Sequence, residues 1–303
     1  MSRSFCCEES RADGDFLGGT AAEVGRWLLL EYAGPWGRDA IANNDLPPSV
    51  REWLARELAR IPGTRLLFIR RSSTSQPGSS AGGAGSLFVV ETGETSAGLA
   101  EFRFVGPEEL VGIDLDLPLP VASERRFLLT CTNALRDRCC AKYGVPVYKR
   151  LRSLVPEWAW ECTHTGGHRY AASVLSLPEG AYYGFLDEAI APQLVEAHCG
   201  GELLLDHYRG RSFHPQPVQA ADVWLRCEDG ITELDALHWV STESVSSSPR
   251  VWRVVFDVRG RGRATLEVIE SVSPRLTSCS PEKWKDSVGF QVVRSAPDRA
   301  DIL

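Results

Sequence analysis

The chain has 303 residues, of which 43% are hydrophobic and 24% are charged, an ordinary composition for a soluble globular protein. This length is enough to bury roughly three quarters of the unfolded surface, and it suggests about two domains. The net charge of −7 argues against nucleic acid and anionic membrane surfaces as partners, because both would repel the chain.

Targeting and membrane-spanning segments are not expected. The start, MSRSFCCEES, lacks the apolar stretch of a secretory signal, and the longest apolar runs, such as WLLL at 27–30, are too short to cross a bilayer. We therefore expect a cytoplasmic protein. The nine cysteines suggest metal binding, redox chemistry or burial before they suggest disulfides, because such a compartment is reducing.

The first region, residues 15–120, is predicted to be mixed α/β. A helix should follow Pro47, with Ser49 and Glu52 spaced as a capping box and apolar residues at helical spacing from Val50 to Ile61. The Ser- and Gly-rich stretch 72–86 is typical of a surface loop, 107–115 suggests a short helix, and 118–124 a linker. Strands are predicted at WLLLEY (27–32), RLLFIRR (65–71), SLFVVET (86–92) and LAEFRFV (99–105).

The second region, residues 121–210, contains strand candidates at 126–131, 158–163, 172–177 and 181–186, with helices at 141–154 and 191–201. This order is the kernel of a thioredoxin-like layer of helices on a sheet. The first region has roughly the same order, which raises the hypothesis of a degenerate duplication that lacks the metal ligands.

The third region, residues 211–303, is predicted to be β-rich. DVWLRCE at 222–228 and ITELDALHWV at 231–240 suggest strands, and RGRGR at 259–263 suggests the tip of a hairpin. The tail from residue 295 is expected to fray.

Two residue pairs carry the chemistry of this sequence. Cys131 and Cys140 lie nine positions apart, and His164 and His168 lie four apart in HTGGH. The two glycines make a helix improbable there, but they allow a turn that directs both imidazoles to one centre. Cys131 ends a predicted strand and Cys140 precedes a predicted helix, whose start favours the thiolate that binds metal. We therefore expect the two pairs to meet in one metal site.

The identity of the metal stays open on residue type alone. Two cysteines and two histidines suit tetrahedral zinc, but the thiols of structural zinc sites usually lie two to four residues apart. A 2Fe–2S cluster accepts a wider separation, and in Rieske centres two histidines replace two cysteines on one iron.

The joined pattern resembles the sucrase/ferredoxin-like family, a bis-histidinyl branch of the thioredoxin-like ferredoxins. The resemblance covers about residues 15–210. It rests on Cys131-x4-Arg136-Asp137-x2-Cys140 and on Glu161-Cys162-Thr163-His164-x-Gly166-Gly167-His168-Arg169, with further similarity in Gly-Thr-Ala at 19–21, WLLLEYAGPWG at 27–37, LLFIRR at 66–71 and LPEGAYYGFL at 177–186. The word sucrase in the family name finds no support, because no acidic pair can be assigned as acid and nucleophile.

The resemblance implies a 2Fe–2S cluster with Cys131 and Cys140 on one iron and His164 and His168 on the other. Cys139 is the nearest alternative thiol, but the Arg-Asp-x-x-Cys register favours Cys140. Such proteins often carry His-Gly just after the first cysteine, whereas this chain has Asn133-Ala134-Leu135. A role for that loop histidine in proton or electron exchange is therefore not expected here.

Three charged residues flank these ligands: Arg136, Asp137 and Arg169. They either orient the loop and tune the potential or form ordinary ion pairs. Cys162 is interpreted as a buried structural thiol. No partner can be assigned to the remaining cysteines, Cys6, Cys7, Cys199, Cys227 and Cys279.

The function that follows is one-electron transfer, with a pH-dependent potential and without an enzymatic activity of its own. Its partner would be a redox protein of unknown identity. The alternatives are a zinc-stabilised interaction module that uses the same four residues, and a thiol oxidoreductase that uses Cys139 with Cys140, or Cys131. The last is weaker, because no Cys-x-x-Cys opens a helix.

Overall fold

The computed structural model describes residues 5–71, 84–94, 97–120, 125–279 and 282–295. The predicted loop at 72–86 falls largely outside the described residues, as do part of the predicted linker at 118–124 and the tail beyond 295. The helices are α1 (Cys6–Ala12), α2 (Pro48–Arg60), α3 (Arg138–Leu154), α4 (Ala191–Cys199) and α5 (Gln216–Asp229). The strands are β1 (Arg26–Glu31), β2 (Thr64–Arg70), β3 (Gly85–Glu91), β4 (Gly98–Phe104), β5 (Phe127–Cys131), β6 (Ala159–Cys162), β7 (Val174–Leu177), β8 (Ala181–Tyr183), β9 (Tyr208–Arg211), β10 (Leu237–Ser247), β11 (Arg250–Val258), β12 (Gly262–Cys279) and β13 (Glu282–Arg294).

Nine of the described strands form one sheet, in the order β4-β3-β1-β2-β6-β5-β7-β8-β9. It contains two units with the same topology. In each, the first strand pairs in parallel with the second and antiparallel with the third, and the third pairs antiparallel with the fourth. The units join where β2 pairs with β6. Shared topology is what a duplication would produce, and the division into domains remains a prediction.

The strands of this sheet are buried because helices and loops cover both faces. In β1, Trp27 to Leu30 are all at most 1% exposed. Val50, Trp53 and Leu54 of α2 pack against one unit, and α3 packs against the other through Val147, Tyr148 and Leu151. Strands buried on both faces are continuous apolar runs rather than alternating ones, which is why short runs in the sequence identified them.

The C-terminal region begins with a helix, which corrects one prediction. Residues 222–228 were expected to form a strand, but they belong to α5. The helix packs its apolar face, with Val218, Ala221 and Leu225, against a separate antiparallel sheet of the order β10-β11-β12-β13. The predicted hairpin at 259–263 is confirmed, because β11 and β12 pair on either side of it.

The α/β class expected from the sequence is confirmed, together with a β-rich C-terminal sheet. One local expectation is wrong. The N-cap of α2 is Pro47, and no side chain caps the N-terminal end of this helix. Ser49 lies inside the helix and forms no capping box with Glu52. Within the described residues, no helix has both the length and the apolar composition needed to cross a membrane.

Candidate metal centre

The two cysteines of the predicted site meet where β5 passes into α3. Cys131 is the last residue of β5, and Cys140 lies in the first turn of α3. The helix can approach the strand this closely because residue 144 is glycine: a Cβ atom there would lie 2.2 Å from the carbonyl oxygen of Cys131. Both thiols are buried, at 3% and 2% exposure.

His164 brings an imidazole to these thiols. Its Nδ1 lies 3.7 Å from Sγ of Cys131 and 3.8 Å from Sγ of Cys140. The segment that carries it is tied to the neighbouring strand β2, where the Arg65 guanidinium donates a 2.7 Å hydrogen bond to the His164 carbonyl oxygen. Cys131, Cys140 and His164 thus form a group of three donors that could hold a metal, with all donor atoms within 4.8 Å of one another.

The turn between the two histidines depends on its glycines. Gly166 and Gly167 have φ angles of +109° and +66°, which residues with a side chain rarely adopt. At Gly167 there is also no room, because a Cβ atom would lie 2.4 Å from the guanidinium of the buried Arg209. Burial lowers the pKa of Arg209 to about 10. Its Nε donates to Thr20 at 2.9 Å, so the turn rests on an anchored side chain.

His168 lies next to this group but is not one of its three donors. Its ring centroid is 5.2 Å from that of His164. Its Nε2 donates to the carbonyl oxygen of Thr277 in β12. Its Nδ1 is buried and has no hydrogen-bond partner among the described residues. A buried nitrogen with a free lone pair is costly unless something binds it, so the fourth predicted residue fits a ligand role.

Electrostatics favour metal-binding forms at two of these four residues, Cys131 and His168. The hydrogen bond from Cys140, supported by His164, lowers the pKa of the Cys131 thiol well below its usual value. The same contact and burial raise the pKa of Cys140, so the pair shares one proton. Burial, with His164 nearby, lowers the pKa of His168 and keeps its ring neutral, the form that binds metal.

Asp137 connects the site to the C-terminal sheet. It caps α3 by accepting a 3.0 Å hydrogen bond from the backbone amide of Cys139. Its other oxygen accepts from Ser278 Oγ at 3.0 Å and from the Cys279 amide at 2.9 Å, and lies 3.7 Å from Nε2 of His168. Burial alone would raise the pKa of Asp137, but the two backbone donors, together with His168 and the Ser278 hydroxyl, outweigh it and lower that pKa.

The comparison with protein families agrees with this geometry. The family model described as Sucrase/ferredoxin-like matches residues 17–210, which include both cysteines and both histidines. The chain belongs to the sucrase/ferredoxin-like family. Among curated proteins and among solved structures, none matches the chain.

The flanking arginines of the family pattern have different surroundings here. Arg136 is half-buried and lines a pocket of about 170 Å³, together with Arg38, Arg65 and His164. Arg169 turns away to the N-terminal segment, where it lies 3.3 Å from the carboxylate of Asp15 and donates to the hydroxyl of Tyr170. The contacts of Arg169 are those of a buried ion pair.

The loop in which the chain departs from the sucrase/ferredoxin-like pattern is held by hydrogen bonds. The Asn133 side chain donates to the carbonyl oxygen of Gly37 at 3.1 Å and accepts from the Arg136 amide at 3.2 Å. Asn133 therefore has a structural role two residues after the first cysteine, and it brings the 27–37 segment against the site.

Two contributions to the site were missed from the sequence. Arg209 supports the glycine turn, although it lies 42 positions beyond Gly167. Thr277 supplies the carbonyl that fixes His168, from a strand outside the region matched by the family model. Every residue has a backbone carbonyl, so the sequence does not mark this one. Only the folded structure, in which β12 lies against the site, could reveal the contact.

Replacing Asp137 by alanine is expected to lower the free energy of unfolding by about 2–4 kcal/mol, from the lost cap and from buried donors left without an acceptor. Urea denaturation monitored by circular dichroism measures this. Asp137→Asn keeps one carbonyl acceptor and should cost clearly less. A loss below about 0.5 kcal/mol for Asp137→Ala would show that these hydrogen bonds contribute little.

Proposed function

We propose that this protein is a one-electron carrier that holds a 2Fe–2S cluster, with Cys131 and Cys140 on one iron and His164 and His168 on the other. The observation that carries the proposal is the convergence of three donors, Cys131, Cys140 and His164, beside the buried Nδ1 of His168, which has no hydrogen-bond partner among the described residues. Membership of a ferredoxin-like family supports it.

The bound cluster would supply a site for one electron, and neutral imidazoles in place of two thiolates make its reduction easier. Rieske-type centres lie at roughly −150 to +300 mV, against about −400 mV for plant-type ferredoxins. The chain itself contributes two things. Burial of the thiols excludes water from the site, and the fixed orientation of the rings holds their nitrogens in position to bind.

The two histidines differ in what their outer nitrogens do. His168 commits its Nε2–H to the Thr277 carbonyl. His164 directs Nδ1 to the thiols and lines the pocket with Arg38, Arg65 and Arg136. We therefore assign proton exchange to Nε2 of His164 rather than to His168. The same face is where a redox protein partner would come closest, and neither nucleic acid nor a membrane is proposed to bind there.

The direct test is analysis of iron and acid-labile sulfide in anaerobically purified protein, with low-temperature EPR of the reduced form. About two irons and two sulfides per chain, with nitrogen couplings in the EPR spectrum, would support the proposal. A colourless protein without labile sulfide would exclude it.

The reduction potential is expected to fall as pH rises. Reduction should raise the pKa of the outer histidine nitrogen, so between the oxidised and reduced pKa values one electron enters with one proton. The slope in that window is about −59 mV per pH unit for a one-electron couple. Protein-film voltammetry from pH 5 to pH 10 measures it, and a potential that stays flat over this range would contradict the coupling.

Zinc in the same site is the second candidate, and the donor distances favour it. Two thiolates and an imidazole around one tetrahedral zinc lie about 3.5–3.8 Å apart, close to the 3.7 and 3.8 Å from His164 to the two thiols. A two-iron core would hold its cysteine and histidine pairs farther apart. A visible absorption spectrum, together with analysis of acid-labile sulfide, distinguishes the two, because a zinc site is colourless and contains no sulfide.

A further inference from the structure

Four of the nine cysteines form a second cluster, distinct from the candidate metal centre. Cys139 is at its middle: its Sγ lies 3.4 Å from that of Cys6, 3.3 Å from that of Cys7 and 3.1 Å from that of Cys279. All four thiols are buried, and none is in a disulfide. Three of them are among the cysteines to which the sequence assigned no partner.

The four thiols come from three distant parts of the chain. Cys6 and Cys7 open α1, Cys139 lies in the first turn of α3, and Cys279 ends β12. Single buried cysteines are common as small apolar residues. Four sulfurs brought together over such separations are not explained by apolar packing, because any small side chain would fill the same space.

The distances fit a metal better than a disulfide. A disulfide has a bond of about 2.05 Å and joins one thiol to one other, whereas Cys139 touches three sulfurs at once. Four thiolates at about 2.3 Å from a tetrahedral zinc lie about 3.8 Å apart. The three distances from Cys139, 3.1 to 3.4 Å, would therefore have to lengthen by about 0.4–0.7 Å to admit the ion. Cys6, Cys139 and Cys279 already belong to one group of mutually close donors, and Cys7 joins them through its contact with Cys139.

The oxygen donor that lies beside this cluster in the described part of the chain is already engaged. Asp137 lies close enough to be a donor together with Cys6, Cys139 and Cys279. Its carboxylate is already occupied, because it accepts from the amides of Cys139 and Cys279 and from the Ser278 hydroxyl. The donor set is then four sulfurs, which selects zinc or iron over magnesium or calcium.

Further contacts suit bound thiolates. The backbone amide of Cys6 donates to Sγ of Cys279 at 2.9 Å, and such donors stabilise negative sulfur. Arg138 donates to the Cys279 carbonyl oxygen. This cation would offset part of the charge of −2 that four thiolates and one zinc ion carry.

We propose that Cys6, Cys7, Cys139 and Cys279 bind a structural zinc ion. On binding, each thiol that is still protonated releases its proton to solvent, and no electron is exchanged. The adjacent pair Cys6-Cys7 departs from the usual spacing of two to four residues in zinc sites. The ion would join α1 and β12 to the start of α3, one residue from Cys140.

Metal analysis of the full chain, purified without chelators, tests the proposal. Wild-type protein should contain about one zinc per chain. The double variant Cys6→Ser/Cys7→Ser should fall about tenfold or more in zinc and keep its iron and visible spectrum. The matched control is Cys199→Ser/Cys227→Ser, which removes two exposed cysteines and should keep both metals.

The test is independent of the proposed iron–sulfur function. In Cys131→Ser, which removes a ligand of the other centre, the zinc should remain. If the Cys6/Cys7 variant does not fold, the Cys131→Ser protein loaded with Co²⁺ in place of zinc gives the same answer. Thiolate-to-cobalt charge-transfer bands with strong tetrahedral d–d absorption would support the site.

Three results would overturn the proposal. The first is a zinc content that is unchanged in Cys6→Ser/Cys7→Ser. The second is wild-type protein that contains no zinc, whose four thiols all react with an alkylating reagent and which shows no cobalt bands when Co²⁺ is added. The cluster would then be a feature of packing alone. The third is a disulfide from Cys139 to Cys6, Cys7 or Cys279 in protein purified under thiol-blocking conditions, which would support thiol oxidoreductase chemistry.

Discussion

Replacing Cys140 by serine is expected to remove most of the bound iron, whereas the same replacement at the adjacent Cys139 should leave the iron in place. The two neighbours face different clusters: Cys140 lies with Cys131 and His164, and Cys139 with Cys6 and Cys279. Iron should fall from about two per chain to about a tenth of that in Cys140→Ser. Iron and sulfide analysis and the visible spectrum measure the effect.

The Cys139→Ser variant is the matched control for this experiment, since it differs by one position on the same helix turn and makes the same atomic change. Should Cys139→Ser lose the iron while Cys140→Ser retains it, the ligand register favoured by the sequence would be wrong. If both variants retained it, neither cysteine would be a ligand.

Gly144→Ala is expected to destabilise the protein and to lower its iron content. In an exposed helix interior, this substitution stabilises by about 1 kcal/mol. Here the added Cβ would lie 2.2 Å from the Cys131 carbonyl oxygen, so α3 must move away from β5. Overpacking of this kind costs about 1–3 kcal/mol. The movement also separates Cys140 from Cys131.

Urea denaturation and iron analysis of the same preparations measure both effects. The matched control is Gly200→Ala at the end of α4, where φ is −80° and the nearest atom would be 3.4 Å from the new Cβ. That variant should keep the wild-type stability within about 0.5 kcal/mol and the full iron content. A Gly144→Ala protein as stable as Gly200→Ala would show that helix and strand have room to separate.

The sequence predicted much of the sheet because its strands are buried on both faces. Such strands are short apolar runs between polar residues, and β1 and β3 are examples. The start of α3 was placed at residue 141, three residues late. Asp137 is an acceptor residue directly before the true first turn, which is an N-cap signal that the prediction did not use.

The error at α5 has a physical origin. Its inner side contains Asp222 and Arg226, a buried ion pair of 2.7 Å that also satisfies backbone carbonyls of the following turn. Because a polar pair occupies part of the buried face, residues 222–228 contain only a short apolar run, Val223 to Leu225, between polar residues, and such a run imitates a short buried strand. Only a longer window, from Pro217 onward, contains the helical period of Val218, Ala221 and Leu225.

The candidate site was predictable in part for the same local reasons. A strand end, a helix start and a glycine turn could be placed near one another, and the structure brings Cys131, Cys140 and His164 together. The partners from β12 could not be predicted, because Thr277 to Cys279 lie more than 100 positions from His168 and Asp137 and contact them only in the folded protein.

Contacts from β12 determine how short a fragment containing the family region can be. The family match ends at residue 210, yet Thr277 supplies the acceptor for His168, and Ser278 and Cys279 supply two of the three donors to Asp137. A fragment that ends at residue 210 would leave the His168 ring without its acceptor, and the buried Asp137 carboxylate would lose two of its donors. In this protein the C-terminal sheet therefore holds residues of the candidate metal centre in place, and a fragment that keeps these contacts must extend at least to residue 279.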